Sequence, residues 1–383
     1  MSPETTWQDE RDKKLVPRAP ATRAGWQAWL LPLGLFFAAP ALQSLARRKP
    51  HFVEYYYSRT LFPRIGHALS RVNGLFGFSL AELVVIAIVP ILIGALIYQG
   101  RQIYLRRRPA GRIIRANLLT AIWIAGSAMM LFLLLWGFNY EREPLGNSLG
   151  LARRHASREQ LEIVSAWIVN GINSNYEASR SRPGAAPPGR AQLYELIESA
   201  YQHEPLLAGI CSGGYAQAKP VQFSGLMSRL GLSGMYFPFT GEANFNAAQP
   251  DFDLPYVIAH EKAHQCGFAR EGDANFIAFL VCSNSTNAYL RYSGYLNALE
   301  VVYSLAASAP DRDGRASTML DEGPQADIKA RSAFWARYMG RASAVSHRIN
   351  DSYLKANHIA SGAQSYGEDV ALIVGYYLTR ANK

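Results

Sequence analysis

Three long apolar stretches dominate the first third of the chain, at residues 24–46, 75–98 and 116–140. About 20 apolar residues in a helix are enough to cross the roughly 30 Å hydrocarbon core of a bilayer. Pro32 and Pro40 lie inside the first stretch, and neighbouring helices make such kinks tolerable in lipid. The pattern therefore predicts three transmembrane helices.

Basic residues flank these stretches unevenly. The short loop between the second and third stretches and the tail before the first stretch hold most of them: Arg101, Arg106, Arg107, Arg108, Arg112 and Arg115 in the loop, and Arg11, Lys13, Lys14, Arg18 and Arg23 in the tail. Excess Lys and Arg mark cytoplasmic segments. Three crossings would then export everything after residue 140, although Arg47, Arg48 and Lys49 oppose this orientation. We expect a cytoplasmic tail (1–23), a three-span region (24–140) and an extracytoplasmic domain (141–383).

The charge of the whole chain fits this interpretation. Lys and Arg number 39 against 29 Asp and Glu, for a net charge of +10, and many of the basic residues border apolar stretches, where anionic headgroups attract them. No basic and aromatic pattern typical of RNA binding is present. The lipid bilayer is the expected partner and nucleic acid is not; the oligomeric state stays open.

Beyond residue 140 the apolar positions recur at helical spacing. Ser157 and Gln160 form a capping-box pattern ahead of one such run. Further helices are predicted at 191–203 and 221–230, a Pro- and Gly-rich loop at 181–190, and a short strand at 236–246. The predicted fold class is mainly α, with N-terminal transmembrane helices followed by an α+β domain that holds a small sheet.

The clearest chemical signal is an HExxH motif formed by His260, Glu261 and His264. Pro255 marks the start of the helix that carries it. Residues four apart share a helix face, so the two imidazoles can bind one Zn²⁺ ion. Glu261 beside them can act as a general base toward a water molecule.

A third metal ligand is expected shortly after the motif. Gly267 can end the first helix in a left-handed conformation, and a second helix beginning near Ala269 would turn Glu271 back to the metal. Asp273 is the second choice, and Cys266 is a third, less suited to hydrolysis because a thiolate would make a closed site. A salt bridge from Glu271 to a surface arginine is the structural alternative.

Three cysteines, Cys211, Cys266 and Cys282, are too few for a disulfide framework. Buried free thiols are the favoured interpretation. A bridge between Cys266 and Cys282 is the alternative in an oxidising compartment.

These residues also resemble a known family. The resemblance runs from Val53 onward and is carried by residues 55–63, 78–83, 138–145, 235–246, 260–282 and 351–369. They are similar to bacterial multi-span membrane proteins of unknown function with a zincin-like domain of the glutamate-ligand type. The resemblance implies an extracytoplasmic metallopeptidase fold on a protein of the bacterial inner membrane. Asn275 departs from it, because the glutamate-ligand zincins usually have an acidic residue there.

The same resemblance implies that the strand at residues 239–246 binds an extended peptide by edge pairing, with core packing of Tyr236, Phe237 and Phe239 as the alternative. It also suggests a donor to the oxyanion formed during attack. The possible donors, each with a structural role as the alternative, are His347, Tyr353, His358 and Tyr366.

The expected function is hydrolysis of peptide bonds in a membrane-proximal protein by a zinc-activated water. The alternative is a noncatalytic membrane scaffold stabilised by zinc. Transport is disfavoured because the apolar stretches hold no series of ionisable residues. Glu82, near one end of the second stretch, can reach interfacial water or serve as a functional intramembrane acid.

Overall fold

The computed structural model describes residues 24–105, 109–151, 157–180, 187–307, 320–359 and 368–381. These residues are mainly helical and include one small sheet, which confirms the predicted fold class at that level. The helices are α1 (Ala24–Arg47), α2 (Pro50–Phe52), α3 (Phe62–Asn73), α4 (Leu80–Tyr104), α5 (Ala110–Leu135), α6 (Leu145–Ser148), α7 (Arg158–Arg180), α8 (Arg190–Gln202), α9 (Ser224–Leu230), α10 (Leu254–Gln265), α11 (Glu271–Ser283), α12 (Ala288–Ala307), α13 (Glu322–Ala336), α14 (Arg341–Ala356) and α15 (Glu368–Ala381). The strands are β1 (Lys219–Pro220), β2 (Gly234–Phe237) and β3 (Glu242–Phe245).

Helices α1, α4 and α5 are long and apolar enough to cross a membrane, as the sequence predicted. Helix α4 begins later than expected because the Ser79 hydroxyl accepts a hydrogen bond from the Glu82 amide and caps it. Helix α5 begins after Pro109 and ends at Leu135, where a 3₁₀ turn follows. Helices α1 and α5 pack closely, since a Cβ on Gly126 would lie 2.8 Å from the Pro32 carbonyl oxygen.

The segment between the first two apolar helices is helical from residue 50 to residue 73. Its middle, Val53–Leu61, is a π-helix between α2 and α3. Val53, Tyr57 and Phe62 are buried in a cluster with Trp136 at the end of α5. This segment therefore belongs to a buried cluster that also includes Ala269, in the turn between α10 and α11.

The domain that follows agrees with several predictions. The Ser157 hydroxyl accepts from the Gln160 amide, and the Gln160 side chain accepts from the Ser157 amide, so the capping box is formed. The helix predicted at 191–203 is α8. The helix predicted at 221–230 starts only at Ser224, because the chain just before it is extended next to β3. Of the predicted loop at 181–190, residues 181–186 lie outside the described residues.

The sheet has the order β1-β3-β2, with β1 parallel and β2 antiparallel to β3. The prediction of a single strand at 236–246 was wrong. Those residues lie in a hairpin, in which Gly234 pairs with Phe245 and Phe237 pairs with Glu242. Gly241, with a φ of 68°, makes the tight turn in a left-handed conformation that favours glycine. Consequently β2 is an edge strand, whereas β3 is paired on both sides, so the expectation that residues 239–246 offer a free edge to a peptide was wrong.

Two carboxylates join the sheet region to the start of α4. Glu242 on β3 accepts hydrogen bonds from the backbone amides of Leu80 (3.0 Å) and Ala81 (2.7 Å), and its partner Lys219 lies 2.6 Å away. Glu82 accepts from the amides of Gln222 (2.9 Å) and Phe223 (2.7 Å). A carboxylate at a helix N-terminus satisfies amides that have no helical partner. Glu82 is thus a structural anchor.

The cysteines form a bridge that the sequence did not predict. Cys211 and Cys266 are joined by a disulfide, while Cys282 is a buried free thiol. The expectation of three free thiols was wrong for Cys211 and Cys266. The alternative bridge between Cys266 and Cys282 was wrong as well. The cause is tertiary: the loop after α8 returns to the end of α10, whereas Cys282 packs against Gly294.

We expect reduction of the Cys211–Cys266 bridge to destabilise the protein. The bridge closes a loop across a sequence separation of 55, which corresponds to about 4 kcal/mol in the chain-entropy description. Thermal unfolding of the full chain in nanodiscs, with and without reductant, measures the effect. Cys282→Ala is the control that should leave the dependence on reductant intact. An unchanged unfolding temperature after mass spectrometry has shown free thiols at both positions would contradict this prediction.

Candidate metal centre

Helix α10 holds the HExxH motif at the centre of the domain. Pro255 occupies its first turn, as predicted from its fixed φ. The helix is buried on nearly every side, and the Tyr201 hydroxyl donates to the Ala259 carbonyl oxygen at 2.5 Å. His260 and His264 share one face of the helix, and their Nε2 atoms lie 3.1 Å apart.

The turn after α10 fixes the orientation of His264. Gly267, with a φ of 86°, donates its amide to the His264 carbonyl oxygen, and the Phe268 amide donates to the Ala263 carbonyl oxygen. This pair of bonds is the Schellman ending of a helix. It brings the Phe268 carbonyl oxygen to 2.6 Å from His264 Nδ1. A proton held on Nδ1 by this bond leaves Nε2 free to bind a metal.

Helix α11 brings Glu271 to the same place. Glu271 Oε2 lies 3.2 Å from His260 Nε2 and 3.7 Å from His264 Nε2. Glu271 therefore lies against the two histidines and does not take the alternative position, a salt bridge to a surface arginine. Cys266 is held in the disulfide. Asp273 is buried and does not belong to the possible metal-ligand group of His260, His264 and Glu271.

We call His260, His264 and Glu271 the triad. Donor atoms arranged tetrahedrally at about 2.0–2.1 Å from zinc are separated by about 3.3 Å. The observed separations of 3.1, 3.2 and 3.7 Å are close to that value. Two imidazoles and one carboxylate are also a donor set that suits zinc. The triad fits a zinc ion without rearrangement of the backbone.

In the metal-free protein, burial and neighbouring charges have opposite effects on the pKa values of His264 and Glu271. Burial acts to lower the pKa of His264, but the hydrogen bond and charge of Glu271 outweigh it and raise that pKa to about 9. Burial likewise acts to raise the pKa of Glu271, but the two histidines hold it well below its ordinary value. Glu271 is therefore an anion that is ready to bind a cation.

Glu261 lies next to the triad in a different environment. A Cβ on Gly234 of β2 would collide with its carboxylate, so only glycine leaves it this space. Its Oε2 atom is buried and has no hydrogen-bond partner among the described residues. Burial raises the pKa of Glu261 to about 7, against the lowering effect of the histidines. An orphaned buried oxygen of this kind needs a partner, such as a water molecule or a substrate group.

The triad and Glu261 lie in a cleft of roughly 740 Å³. Its walls come from β2, from the end of α5 with Phe132 and Trp136, and from α14 with Ile349 and Tyr353. The side chains of His260 and Glu271 are 13% and 15% exposed, so the triad is reachable from the cleft. A structural metal site enclosed by four protein ligands would not require a cleft of this size.

Of the four residues considered as oxyanion donors, one lines the cleft, two make contacts elsewhere and one lies outside the described residues. Tyr353 lines the cleft, and its hydroxyl accepts a hydrogen bond from the Tyr140 hydroxyl at 2.9 Å. His347 lies against Gly231, and His358 Nδ1 is 2.7 Å from Glu141. Tyr366 lies outside the described residues.

Asn275 lines the cleft, and its carbonyl oxygen accepts from the Tyr256 hydroxyl at 3.3 Å.

A buried ion pair, missed from the sequence, supports the turn after α10. Arg142 makes two hydrogen bonds of 2.9 Å to Glu54, and its third nitrogen donates to the Gly267 carbonyl oxygen at 2.8 Å. Its guanidinium also stacks on the Phe268 ring at 3.9 Å. Arg142 lies within a segment that carries the family resemblance, but nothing in the sequence identified Glu54 as its partner.

A second missed pair borders the cleft. Arg331 on α13 makes a two-point contact with Asp253, which includes a hydrogen bond of 3.1 Å to Oδ2. The pair is buried and bridges α13 to the start of α10. No local pattern in the sequence identified this pairing, because the two residues are 78 positions apart.

Residues 57–374 match the family described as a protein of unknown function, DUF3810. The match covers well over half of the 383 residues, so the chain belongs to this family. It includes α4, α5 and the whole triad. No curated protein and no solved structure matches the chain.

The metal-free protein should lose stability as pH rises. His264, with a folded pKa near 9 against 6.5 when unfolded, contributes stability that is complete below about pH 6.5 and lost toward pH 9. Folding raises the pKa of Glu261 from 4.5 to about 7, so its ionisation destabilises the folded state increasingly as pH rises from 4.5 to about 7. After chelation, the unfolding temperature should therefore be lower at about pH 9 than at about pH 6.

The Glu261→Gln variant removes the contribution of the acid and should flatten the lower part of this profile. Glu159→Gln, at an exposed position on α7, is the matched control and should keep the wild-type profile. A chelated wild-type protein whose unfolding temperature stays constant or increases over this range would show that the charge arrangement is different.

Proposed function

We propose that this member of the DUF3810 family is a membrane-anchored zinc metallopeptidase, with zinc held by His260, His264 and Glu271. The single observation that carries the proposal is the geometry of the triad beside Glu261. Three donor atoms lie at zinc-ligand separations, and an orphaned carboxylate oxygen lies next to them in an open cleft. Catalytic zinc sites combine three protein ligands with a position for water or substrate.

Bound zinc would polarise the scissile carbonyl and lower the pKa of a water ligand. Glu261 accepts a proton from the attacking water, and its raised pKa of about 7 suits a base that works near neutral pH. It then returns that proton to the leaving amine. Tyr353, whose hydroxyl lies in the cleft, is the donor that we assign to the oxyanion.

The substrate backbone would pair with β2. This strand has β3 on one side and contributes all four of its residues to the wall of the cleft. Met235 and Phe239 expose more than a third of their surface there, as expected for residues that meet a ligand. An extended peptide added to an edge strand gains main-chain hydrogen bonds without a requirement for a particular sequence.

The disulfide supports an extracytoplasmic position for this chemistry. Bridges of this type persist in oxidising compartments and are rare in the cytoplasm. Cys266 is part of the turn that ends α10, two residues after His264. The same orientation follows from the basic loop between α4 and α5. The proposed site is therefore on the periplasmic side of the inner membrane.

A zinc-stabilised scaffold is the second proposal, because the triad links α10 to α11 and a metal there would hold the two helices together. The cleft argues against it, since a structural zinc is normally enclosed by four protein ligands. The two proposals differ in whether the protein produces cleavage products.

Zinc binding should depend on the triad. His264→Ala is expected to weaken zinc affinity by about 100-fold or more, because the ligand and its fixed tautomer are both lost. His203→Ala, at an exposed position at the end of α8, should bind like wild type. Equilibrium dialysis with metal analysis on the full-length protein makes the comparison. Equal zinc content in the two variants would exclude the triad as the binding site.

Glu261→Gln should keep zinc and the fold but lower peptide hydrolysis by about 10²–10⁴-fold, the usual contribution of a general base. Wild type, Glu261→Gln and the control Glu159→Gln are expressed at equal levels, and new protein N-termini in the cell envelope are quantified. Termini formed by wild type and the control, but not by Glu261→Gln, support the peptidase. Identical termini from all three, with zinc bound, would leave the scaffold proposal.

A further inference from the structure

Helix α14 carries an apolar stripe that stays largely exposed at Val345 and Ile349, while Tyr353 at its end is partly covered by Phe132 and Tyr140. Val345, Ile349 and Tyr353 are 52%, 64% and 38% exposed. They are spaced four residues apart and so lie on one face of the helix. Leu354, on the other side, is buried against the domain. An amphipathic helix normally buries its apolar face, whereas α14 presents this stripe outward.

One end of α14 is fixed to the membrane-spanning candidates. The ring of Tyr353 lies 6.1 Å from that of Phe132, which belongs to the last turn of α5. Just after α14, Asn357 Oδ1 accepts a hydrogen bond from Gln43 of α1 at 3.3 Å. The stripe therefore continues directly from the surface of α1 and α5.

The other end of α14 packs on α9. The chain entering α9 is in turn held by Glu82, in the first turn of α4. Helix α14 thus extends between the domain-side end of the α1–α5 pair and the domain-side end of α4. A helix in that position runs along the plane through the ends of the apolar helices, which is the plane of the membrane surface.

Charge and neighbouring aromatics agree with this placement. Arg341 and Arg348 flank the stripe on one side of the helix and are exposed, as suits contact with anionic headgroups. Exposed aromatic residues also lie next to the domain-side ends of α1 and α4, where interfacial belts form. They are Phe52, Tyr55 and Tyr56 after α1, and Phe76 and Phe78 before α4.

We propose that α14 lies in the bilayer interface, with Val345 and Ile349 inserted among the lipids. A second copy of the chain is the competing occupant, but continuity with α1 and α5 and the flanking cations favours lipid. The consequence for substrate choice rests on the proposed peptidase function. Ile349 and Tyr353 border the cleft, and Trp136, directly after α5, lies 6.0 Å from the His264 ring. The cleft then opens at the membrane surface and accepts the segment of a membrane-anchored protein that adjoins the bilayer.

The test measures immersion depth in the full chain, without any substrate. Spin labels are placed singly at Val345→Cys and Ile349→Cys in a Cys282→Ala background, reconstituted in nanodiscs of phosphatidylcholine and phosphatidylglycerol. Ala344→Cys, which is exposed on another face of α14, is the matched control. Collision with oxygen, which partitions into lipid, is compared with collision with a water-soluble nickel chelate.

Insertion to a depth of about 5–10 Å should reduce nickel collision at positions 345 and 349 by about threefold or more relative to position 344, with higher oxygen collision. Equal nickel access at all three positions would overturn the proposal. Protection from both reagents, together with dipolar coupling between labels of two chains, would overturn it in favour of a dimer contact. Neither result depends on catalysis, so the Glu261→Gln experiment tests the peptidase separately.

Discussion

The ion pair between Glu54 and Arg142 is the interaction on which the arrangement of the site depends. Glu54 lies in the helical segment after α1, and Arg142 directly follows the 3₁₀ turn after α5. Both are buried, and an unpaired charge in such a place is very costly, so Arg142 requires Glu54, which Arg59 also contacts at 2.7 Å. Arg142 also binds the Gly267 carbonyl oxygen. The apolar helices and the turn that orients His264 therefore form one structural unit.

The remaining contacts extend the same principle. Glu242 and Glu82 fasten α4 to the sheet and to α9, so the strand beside Glu261 is fixed relative to a second apolar helix. Backbone amides at a helix start supply the hydrogen bonds that these carboxylates need. A site built in this way has little freedom to move relative to the ends of α4 and α5. Its position near the ends of these apolar helices is thus a consequence of its support.

The chemistry also follows from contrasts in environment within a few ångströms. Glu271 lies between two imidazoles and is held as an anion, whereas Glu261, only one residue from His260, is desolvated and has a raised pKa. Under the proposed function these two carboxylates take separate roles, ligand and base. Gly234 is required for this division, because any side chain there would displace the carboxylate of Glu261.

The sequence by itself determined the local features: three apolar helices from their length and composition, the helix start at Pro255, the left-handed Gly267, and the i,i+4 pairing of His260 with His264. These depend on residues close in the chain, so the local pattern is sufficient. Only the tertiary structure decided which cysteines pair, that residues 236–246 lie in a hairpin, and that Glu54 and Asp253 find their arginines. The disulfide and the two ion pairs join residues far apart in sequence, where no local spacing constrains the partner, whereas the hairpin is local and its turn at Gly241 interrupts an otherwise strand-like run. Glu271 stands between the two cases, since the sequence proposed it and the packing of α11 against α10 brought it to the histidines.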